Sequence, residues 1–305
     1  MTEWFESSTN WYPSRWGAKD ELGTLNTITP EKILSAIELV KHGRVYVLAQ
    51  PIFNNMPERG GVHGHLYYAL CQRSSDHRTP FRKQTKNKFG SAIGRIEATD
   101  HLGTHMDALN HIAFDGKYYN GINASEIETP FGTTKLGIDR TPPLITRGVM
   151  IDVAAFKRLD VLPRGYAITI DDTESFLSEN GIKIMSGDVV LFHTGVSKLW
   201  ESQTVFSQFF ESSPGVGYEL AKWLAERDVA AVGADAPATE VLPPEIEGTY
   251  LPVHQYLITK SGIRIIDRMK LHELSKDGVY EFLFICSPLP IRGATASPVS
   301  PLAVV

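Results

Sequence analysis

Three histidines and an aspartate lie close together in the segment from His101 to His111. Their spacing is H-x3-H-x-D-x3-H, with His105 and Asp107 two positions apart. Imidazole and carboxylate groups together suit a catalytic divalent ion, which takes three protein ligands and leaves a position for water. The segment therefore predicts a metal site, whereas a single histidine would more often be a hydrogen-bonded core or surface residue.

Simple backbone rules indicate how these side chains converge. In an extended segment alternate side chains point to the same face, so His105 and Asp107 share one side. Gly103 allows the chain to turn, which lets His101 join them. With His101, His105 and Asp107 as ligands, His111 is left free beside the metal-bound water. A neutral imidazole at that place is suited to act first as a general base and then as a general acid.

The elements that hold this segment have the pattern of an α/β fold. Apolar runs at 148–153, 188–193 and 229–235 are typical of buried strands. Asp171 with Glu174 predicts a capping box for a helix that ends at Gly181, and 217–228 predicts a second helix. The sequence thus predicts a single domain over residues 1–305 with a mixed sheet, preceded by an N-terminal and loop arm over about residues 1–90.

Composition excludes several classes of protein. The 305 residues are 42% hydrophobic with a net charge of −5, which is unlike a disordered chain or a basic nucleic-acid binder. No run of about 18 apolar residues suggests a membrane span, and the N-terminus does not resemble a signal peptide. The two cysteines have no metal-binding spacing, and no glycine-rich nucleotide motif occurs. We expect a cytoplasmic enzyme that acts on a small molecule, without nucleic acid, membrane or nucleotide cofactor.

The histidine segment also resembles a known family, the cyclase-like metal-dependent hydrolases. These include enzymes of the bacterial kynurenine formamidase, isatin hydrolase and zinc-dependent dienelactone hydrolase type. Their pattern H-x-G-T-H-x-D-x-P-x-H matches residues 101–111 except at the proline, which is Leu109 here. Further segments are similar to family landmarks in the same order, and they are Trp16-Gly17, 20–26, 115–121, 187–195, 214–215, 232–237 and Ser297-Pro298.

This resemblance implies a swivelling β/β/α fold, a homo-oligomer (dimer or tetramer), and hydrolysis of an amide, imide or lactone by metal-activated water. It implies zinc or manganese on His101, His105 and Asp107, with His111 as the catalytic histidine. In members with two ions a downstream histidine and glutamate hold the second one. His254 and Asp267 stand at those positions, and the shorter aspartate leaves the choice between one and two metals open.

Other functions remain open on the sequence alone. Two histidines and a carboxylate also form the iron site of non-haem Fe(II) oxygenases, although the α/β pattern differs from the all-β barrel of such enzymes. A cyclase or dehydratase on the same fold is a second alternative, and its product would not gain a water. A non-catalytic binding protein is a third, against which the intact set of ligand positions argues.

Four further residues could serve either a site or the fold. His63 and His65 either line the mouth of a pocket or belong to an exposed loop. His193 ends an apolar run and is expected to be a hydrogen-bonded core histidine. Asp235 follows another such run, where a functional carboxylate and a turn-stabilising one are equally consistent with the pattern.

Overall fold

A computed structural model describes residues 11–60, 63–75 and 85–305 of the chain. Within these residues a nine-stranded mixed sheet has the order β1-β15-β13-β7-β9-β11-β12-β4-β14. The strands are β1 Val45–Val47, β2 Tyr67–Gln72, β3 Ile93–Glu97, β4 His105–Asp107, β5 Glu128–Thr129, β6 Gly132–Thr133, β7 Leu144–Asp152, β8 Ala167–Ile168, β9 Val189–His193, β10 Gly215–Val216, β11 Ala231–Ala234, β12 Arg264–Asp267, β13 Glu281–Cys286, β14 Ala296–Pro298 and β15 Leu302–Val304.

Helices cover both faces of this sheet. They are α1 Pro30–Ile37, α2 Ala124–Ile127, α3 Val153–Phe156, α4 Ile170–Asn180, α5 Gln203–Phe206, α6 Tyr218–Glu226, α7 Pro252–His254 and α8 His272–Asp277. A π-helical turn, Gln255–Lys260, directly continues α7. The prediction of an α/β fold with a mixed sheet is confirmed.

The centre of the sheet is parallel because helices connect its strands. β7 pairs with β9, β9 with β11, and β11 with β12, all in parallel. Successive side chains alternate between two apolar cores: Val190 and Phe192 enter one, and Val189 and Leu191 enter the other. Strands buried on both faces have continuous apolar sequences, which is why the runs at 148–153, 188–193 and 229–235 identified them.

Helix α4 corrects one detail of the sequence analysis. Its N-cap is Thr169, whose side chain accepts from the N–H of Asp172, and Asp172 completes the capping box. The predicted box of Asp171 and Glu174 was therefore wrong by two positions, because Thr169 and Asp172 have the same three-residue spacing. The predicted end is confirmed, since Gly181 adopts φ +66° as the C-cap.

The proposed arm, about residues 1–90, is only partly described, because residues 1–10, 61–62 and 76–84 lie outside the described ranges. In the described part, β2 and β3 form an antiparallel hairpin. Its large apolar side chains are exposed, with Tyr67 at 57% and Ile96 at 66%. The organisation of the whole chain as one domain remains a prediction. None of the helices in the described ranges is long and apolar enough to cross a membrane.

The short strand β4 joins the histidine segment to the sheet. It lies between β12 and β14 and is antiparallel to both. His105 pairs with Asp267, and Met106 with Ile266. This register places two candidate metal ligands, His105 and Asp267, side by side, although they are about 160 residues apart in the sequence.

Candidate metal centre

The histidine segment has the local structure that its sequence predicts. Gly103 adopts the left-handed conformation, φ +55°, and turns the chain between His101 and β4. Along β4, Met106 packs into an apolar core at 0% exposure. The alternate residues His105 and Asp107, both buried, point to the opposite side.

The other five residues predicted to bind metal or act in catalysis lie around one buried carboxylate, Asp107. Its Oδ1 lies 3.4 Å from His101 Nε2 and 3.7 Å from His105 Nε2. Its Oδ2 lies 3.9 Å from His254 Nε2. Asp267 Oδ2 closes the far side, 3.9 Å from His105 Nε2 and 3.8 Å from His254 Nε2.

These side chains form two overlapping sets of metal-binding atoms. In each set the ligand atoms lie within 4.8 Å of one another, and Asp107 belongs to both. The first set is His101, Asp107 and His111, and the second is Asp107, His254 and Asp267. The second set joins the residues expected for a second ion. The first contains His111, because its Nδ1 lies 3.1 Å from His101 Nε2, so its role as catalyst rather than ligand remains a prediction.

Burial and charge make this cluster suited to a divalent cation. Neither oxygen of Asp107 has a hydrogen-bond partner among the described residues, and burial raises the pKa of this carboxyl to about 7. A buried carboxylate without a partner is costly. A cation among the facing imidazoles would remove that cost, so the donor set fits a metal ion.

Two of the four histidines, His105 and His111, are held in the neutral form that binds metal, whereas for His101 and His254 the neighbouring carboxylates outweigh burial and raise the pKa. Burial, with the charge of His101 next, lowers the pKa of His105 to about 3. Burial and the neighbouring imidazoles of His101 and His254 lower the pKa of His111 well below its usual value. Neutral imidazole is the form that donates a nitrogen to a metal or accepts a proton.

The pKa of Asp267 shifts in the direction opposite to that of Asp107. Burial raises its pKa, but the hydrogen bond and charge of His254 outweigh burial and hold the pKa well below its usual range. Its Oδ1 accepts from the N–H and the hydroxyl of Thr239, both at 2.7 Å. Only Oδ2 therefore faces the cluster, as an ionised oxygen ligand.

A second layer of groups orients three of the four histidines of the cluster. The Nδ1 of His101 lies 2.9 Å from Asp100 Oδ1, and that of His105 lies 2.8 Å from the carbonyl oxygen of Gly103. Glu240 Oε2 accepts from the backbone N–H of His254 at 2.7 Å and lies 2.9 Å from its Nδ1. Such partners fix the ring orientation so that Nε2 faces the metal-binding atoms.

Sequence reasoning missed these supporting residues. Asp100 could have been found, since it directly precedes His101. Glu240 and Thr239 give no such signal, because they reach the cluster only through the folding of the loop that follows β11.

Replacing Glu240 with glutamine tests this second layer. We expect metal affinity to fall about 10- to 100-fold, because the imidazole of His254 loses its charged partner. Titration of the metal-depleted protein with Zn²⁺ or Mn²⁺ measures the change. Glu245→Gln is the matched control: Glu245 also accepts a backbone N–H at 2.7 Å, from Tyr218, but lies outside the cluster. Equal affinities of the two variants would contradict the prediction.

A cavity of about 280 Å³ opens onto the cluster. Its apolar wall includes Ile112, Phe210, Leu242, Tyr250 and Leu251. Arg59, His63 and Arg268 add polar groups. His63 thus lines the cavity, whereas the side chain of His65 is 79% exposed beside Glu58. The size and lining suit a small molecule with an aromatic or other apolar part.

His193 and Asp235 serve the fold near this site. The Nδ1 of His193 lies 2.7 Å from Asp152 Oδ1, as expected for a hydrogen-bonded core histidine. Asp235 accepts hydrogen bonds from Thr194, Gly195 and Ser197, which fix the turn after β9. Neither residue lines the cavity.

A family model, a curated protein and two solved structures are similar to this chain. The model of the Cyclase family, described as "Putative cyclase", matches residues 44–241. Kynurenine formamidase of Geobacillus thermodenitrificans is 27% identical over 234 residues, covering 72% of this chain and 86% of that protein. A crystal structure of a novel cyclase has 32% identity and a TM-score of 0.85, covering 95% of this chain and 98% of that one. Isatin hydrolase A of Ralstonia solanacearum has 21% identity and a TM-score of 0.67, covering 91% and 98%.

Proposed function

This chain belongs to the cyclase family, and we propose that it is a metal-dependent hydrolase of a small amide, imide or lactone, with a cyclic or aryl substrate. The observation that carries the proposal is the buried carboxylate of Asp107, which lies where two metal-binding sets meet and accepts no hydrogen bond from the described residues. The similarity to a kynurenine formamidase supports hydrolysis of a C–N bond.

The ligands we propose for the first metal are His101, His105 and Asp107. His254 and Asp267 would hold a second ion together with Asp107. Nitrogen and oxygen donors in this ratio suit zinc and manganese. A bound divalent ion supplies two things to hydrolysis: a lowered pKa of water and polarisation of the scissile carbonyl.

We assign the proton transfers to His111. Its neutral imidazole, which burial keeps unprotonated, is able to accept the proton of the attacking water. The same group then returns the proton to the departing nitrogen or oxygen. Phe210 and Tyr250 on the cavity wall would contact an aryl ring and exclude bulk water.

The product's mass and the metal together test this function. The metal-loaded protein is incubated with an N-formyl arylamine, a cyclic aryl imide and an aryl lactone, and products are identified by mass spectrometry. For the cyclic imide and the lactone, a ring-opened product heavier than its substrate by one water supports the proposal. For the N-formyl arylamine, release of the arylamine together with formate supports it, because the two products together contain one water more than the substrate. A product of equal mass, or lighter by one water, indicates a cyclase or dehydratase instead. O₂ consumption with added Fe(II) indicates an oxygenase.

We further propose that the enzyme is a cytoplasmic homo-oligomer. The hairpin of β2 and β3 exposes Tyr67, Tyr68, Leu70, Ile93 and Ile96. A two-stranded hairpin is only marginally stable alone, and exposed apolar patches of this kind mark association surfaces. A second copy of the chain is the partner we expect to cover it.

A further inference from the structure

Arg268 is a buried cation in the wall of the cavity, next to the ligand Asp267. It is only 5% exposed. Its guanidinium donates two long hydrogen bonds, from Nε to the carbonyl oxygen of Pro237 and from Nη1 to that of His101, both 3.4 Å. Within the described ranges it has no ion pair. Arg147 differs, since it lies 2.5 Å from Asp188 Oδ2 and 2.8 Å from Glu281 Oε1.

Arg268 has a backbone conformation that other residue types adopt more readily. Arg268 adopts φ +56°, a left-handed conformation that is favourable for glycine and tolerated by asparagine. Its N–H donates to the carbonyl of Ala236 at 3.1 Å, and its own carbonyl accepts from the hydroxyl of Thr104 at 2.6 Å. These contacts hold the conformation whatever the side chain. Strain of this kind is found at functional sites, and here the strained residue places a long cationic side chain in the cavity wall.

The position of the guanidinium is suited to a ligand with a ring and an anionic group. The guanidinium carbon of Arg268 lies 5.4 Å from the centre of the Phe210 ring. Arg59 also lines the cavity, and its guanidinium carbon lies 5.8 Å from the centre of the Tyr250 ring. These arginines are the permanent cations among the described lining residues. The carboxylates of the cavity, Asp107 and Asp267, are both placed in the metal-binding sets.

We propose that Arg268 determines specificity by binding a carboxylate that the substrate carries apart from its scissile bond. The planar guanidinium fits a carboxylate in a bidentate manner. The substrate class is then an aryl amide or lactone with a carboxylate substituent. This inference rests on the proposed hydrolase function, and Arg59 is the second cation that would face the same group.

Two ligands that differ only by the carboxylate test the inference on the metal-loaded, full-length protein. They are 2-formamidobenzoate and formanilide. Where the protein hydrolyses them, their kcat/KM values are compared, and where it does not, calorimetry gives the Kd of each. A bound metal also attracts carboxylate, but it does so equally in wild type and variant. The quantity of interest is therefore the preference for the carboxylate ligand, compared between the two proteins.

We expect Arg268→Asn to lower this preference about 10- to 100-fold, since the carboxylate of the ligand would lose its buried cationic partner. Asparagine is chosen because it tolerates the left-handed backbone. Arg268→Lys, which keeps the charge without the planar fork, should give an intermediate preference. If Arg268→Asn does not fold, Arg59→Gln provides the second variant and should lower the preference by a smaller factor.

The outcomes separate this inference from the proposed function. An unchanged preference, or an equal loss for both ligands, overturns the role of Arg268, even where the enzyme hydrolyses formanilide. Conversely, an Arg268-dependent preference supports the anion site even where neither amide is hydrolysed, and it is then the hydrolase function that fails for this substrate class.

Discussion

Replacing Asp107 with alanine should bring the metal content close to zero and lower hydrolysis by at least about 10³-fold. Asp107 contributes to both metal-binding sets of the described chain, so no complete set survives its loss. The metal contributes several kcal/mol to the transition state, and each 1.4 kcal/mol is about a tenfold change in rate. Elemental analysis of the purified variant measures the metal, and single-turnover assays measure the rate.

The same variant should be at least as stable as wild type when both are metal-free. In the wild type, burial raises the pKa of Asp107 from 3.8 to about 7, so the folded state binds the proton more tightly than the unfolded state. The free energy of unfolding that depends on this proton is present below pH 3.8 and is lost as the pH rises to about 7. The stability of the variant relative to wild type should therefore increase across that range, as thermal unfolding would measure.

Adding metal should reverse this order. A ligand that binds only the folded state stabilises it by about 2.7 kcal/mol at a concentration of 100 times Kd. Wild type should gain that stability and the variant should not. Asp171→Ala, an exposed aspartate of α4, is the control and should behave as wild type. Stoichiometric metal in Asp107→Ala would show that Asp107 is not the shared ligand.

Replacing His111 with alanine should lower kcat about 10²- to 10⁴-fold and leave the metal bound. This range is what a positioned general base and acid contributes. His105→Ala, in contrast, should lose metal as well as activity. Metal content and kcat, measured on the same preparations, separate the two roles.

Comparing the metal content of His111→Ala and His105→Ala is a strict test, because His111 itself lies among the candidate metal ligands. His111 Nδ1 lies 3.1 Å from His101 Nε2, within the first metal-binding set. Equal metal loss in His111→Ala and His105→Ala would identify His111 as a ligand and refute its catalytic assignment. His63→Ala is the control, because the His63 ring lies 6.0 Å from that of His101 and also lines the cavity. We expect it to retain metal and to lose far less activity than His111→Ala.

The local part of the site could be predicted because short-range rules govern it. Alternation along an extended segment placed His105 and Asp107 on one face, and Gly103 identified the turn. The central strands were found because their two buried faces give continuous apolar runs. The α4 cap was misplaced by two positions, since Thr169-x-x-Asp172 and Asp171-x-x-Glu174 both have the spacing of a capping box.

The long-range part could not be derived from spacing. His254 and Asp267 came from the family resemblance, because no helical or strand period relates them to His101. The partnership of Glu240 with His254 depends on a loop, and loops have no periodic signature. The role proposed for Arg268 rests on its backbone angle and on its lack of an ion pair within the described part of the chain, and neither is visible in a sequence.

From the register between β4 and β12 we also expect an order of events in folding. His101, His105 and Asp107 are near neighbours in the chain, so a local turn can bring them together early. The set with His254 and Asp267 requires β4 to dock beside β12, a contact between segments about 160 residues apart. Contacts of such long sequence separation form slowly, since a large loop must close first. A substitution far from the cavity that delays closure of the sheet would therefore delay metal capture by the set with His254 and Asp267, while leaving the local group of His101, His105 and Asp107 free to form.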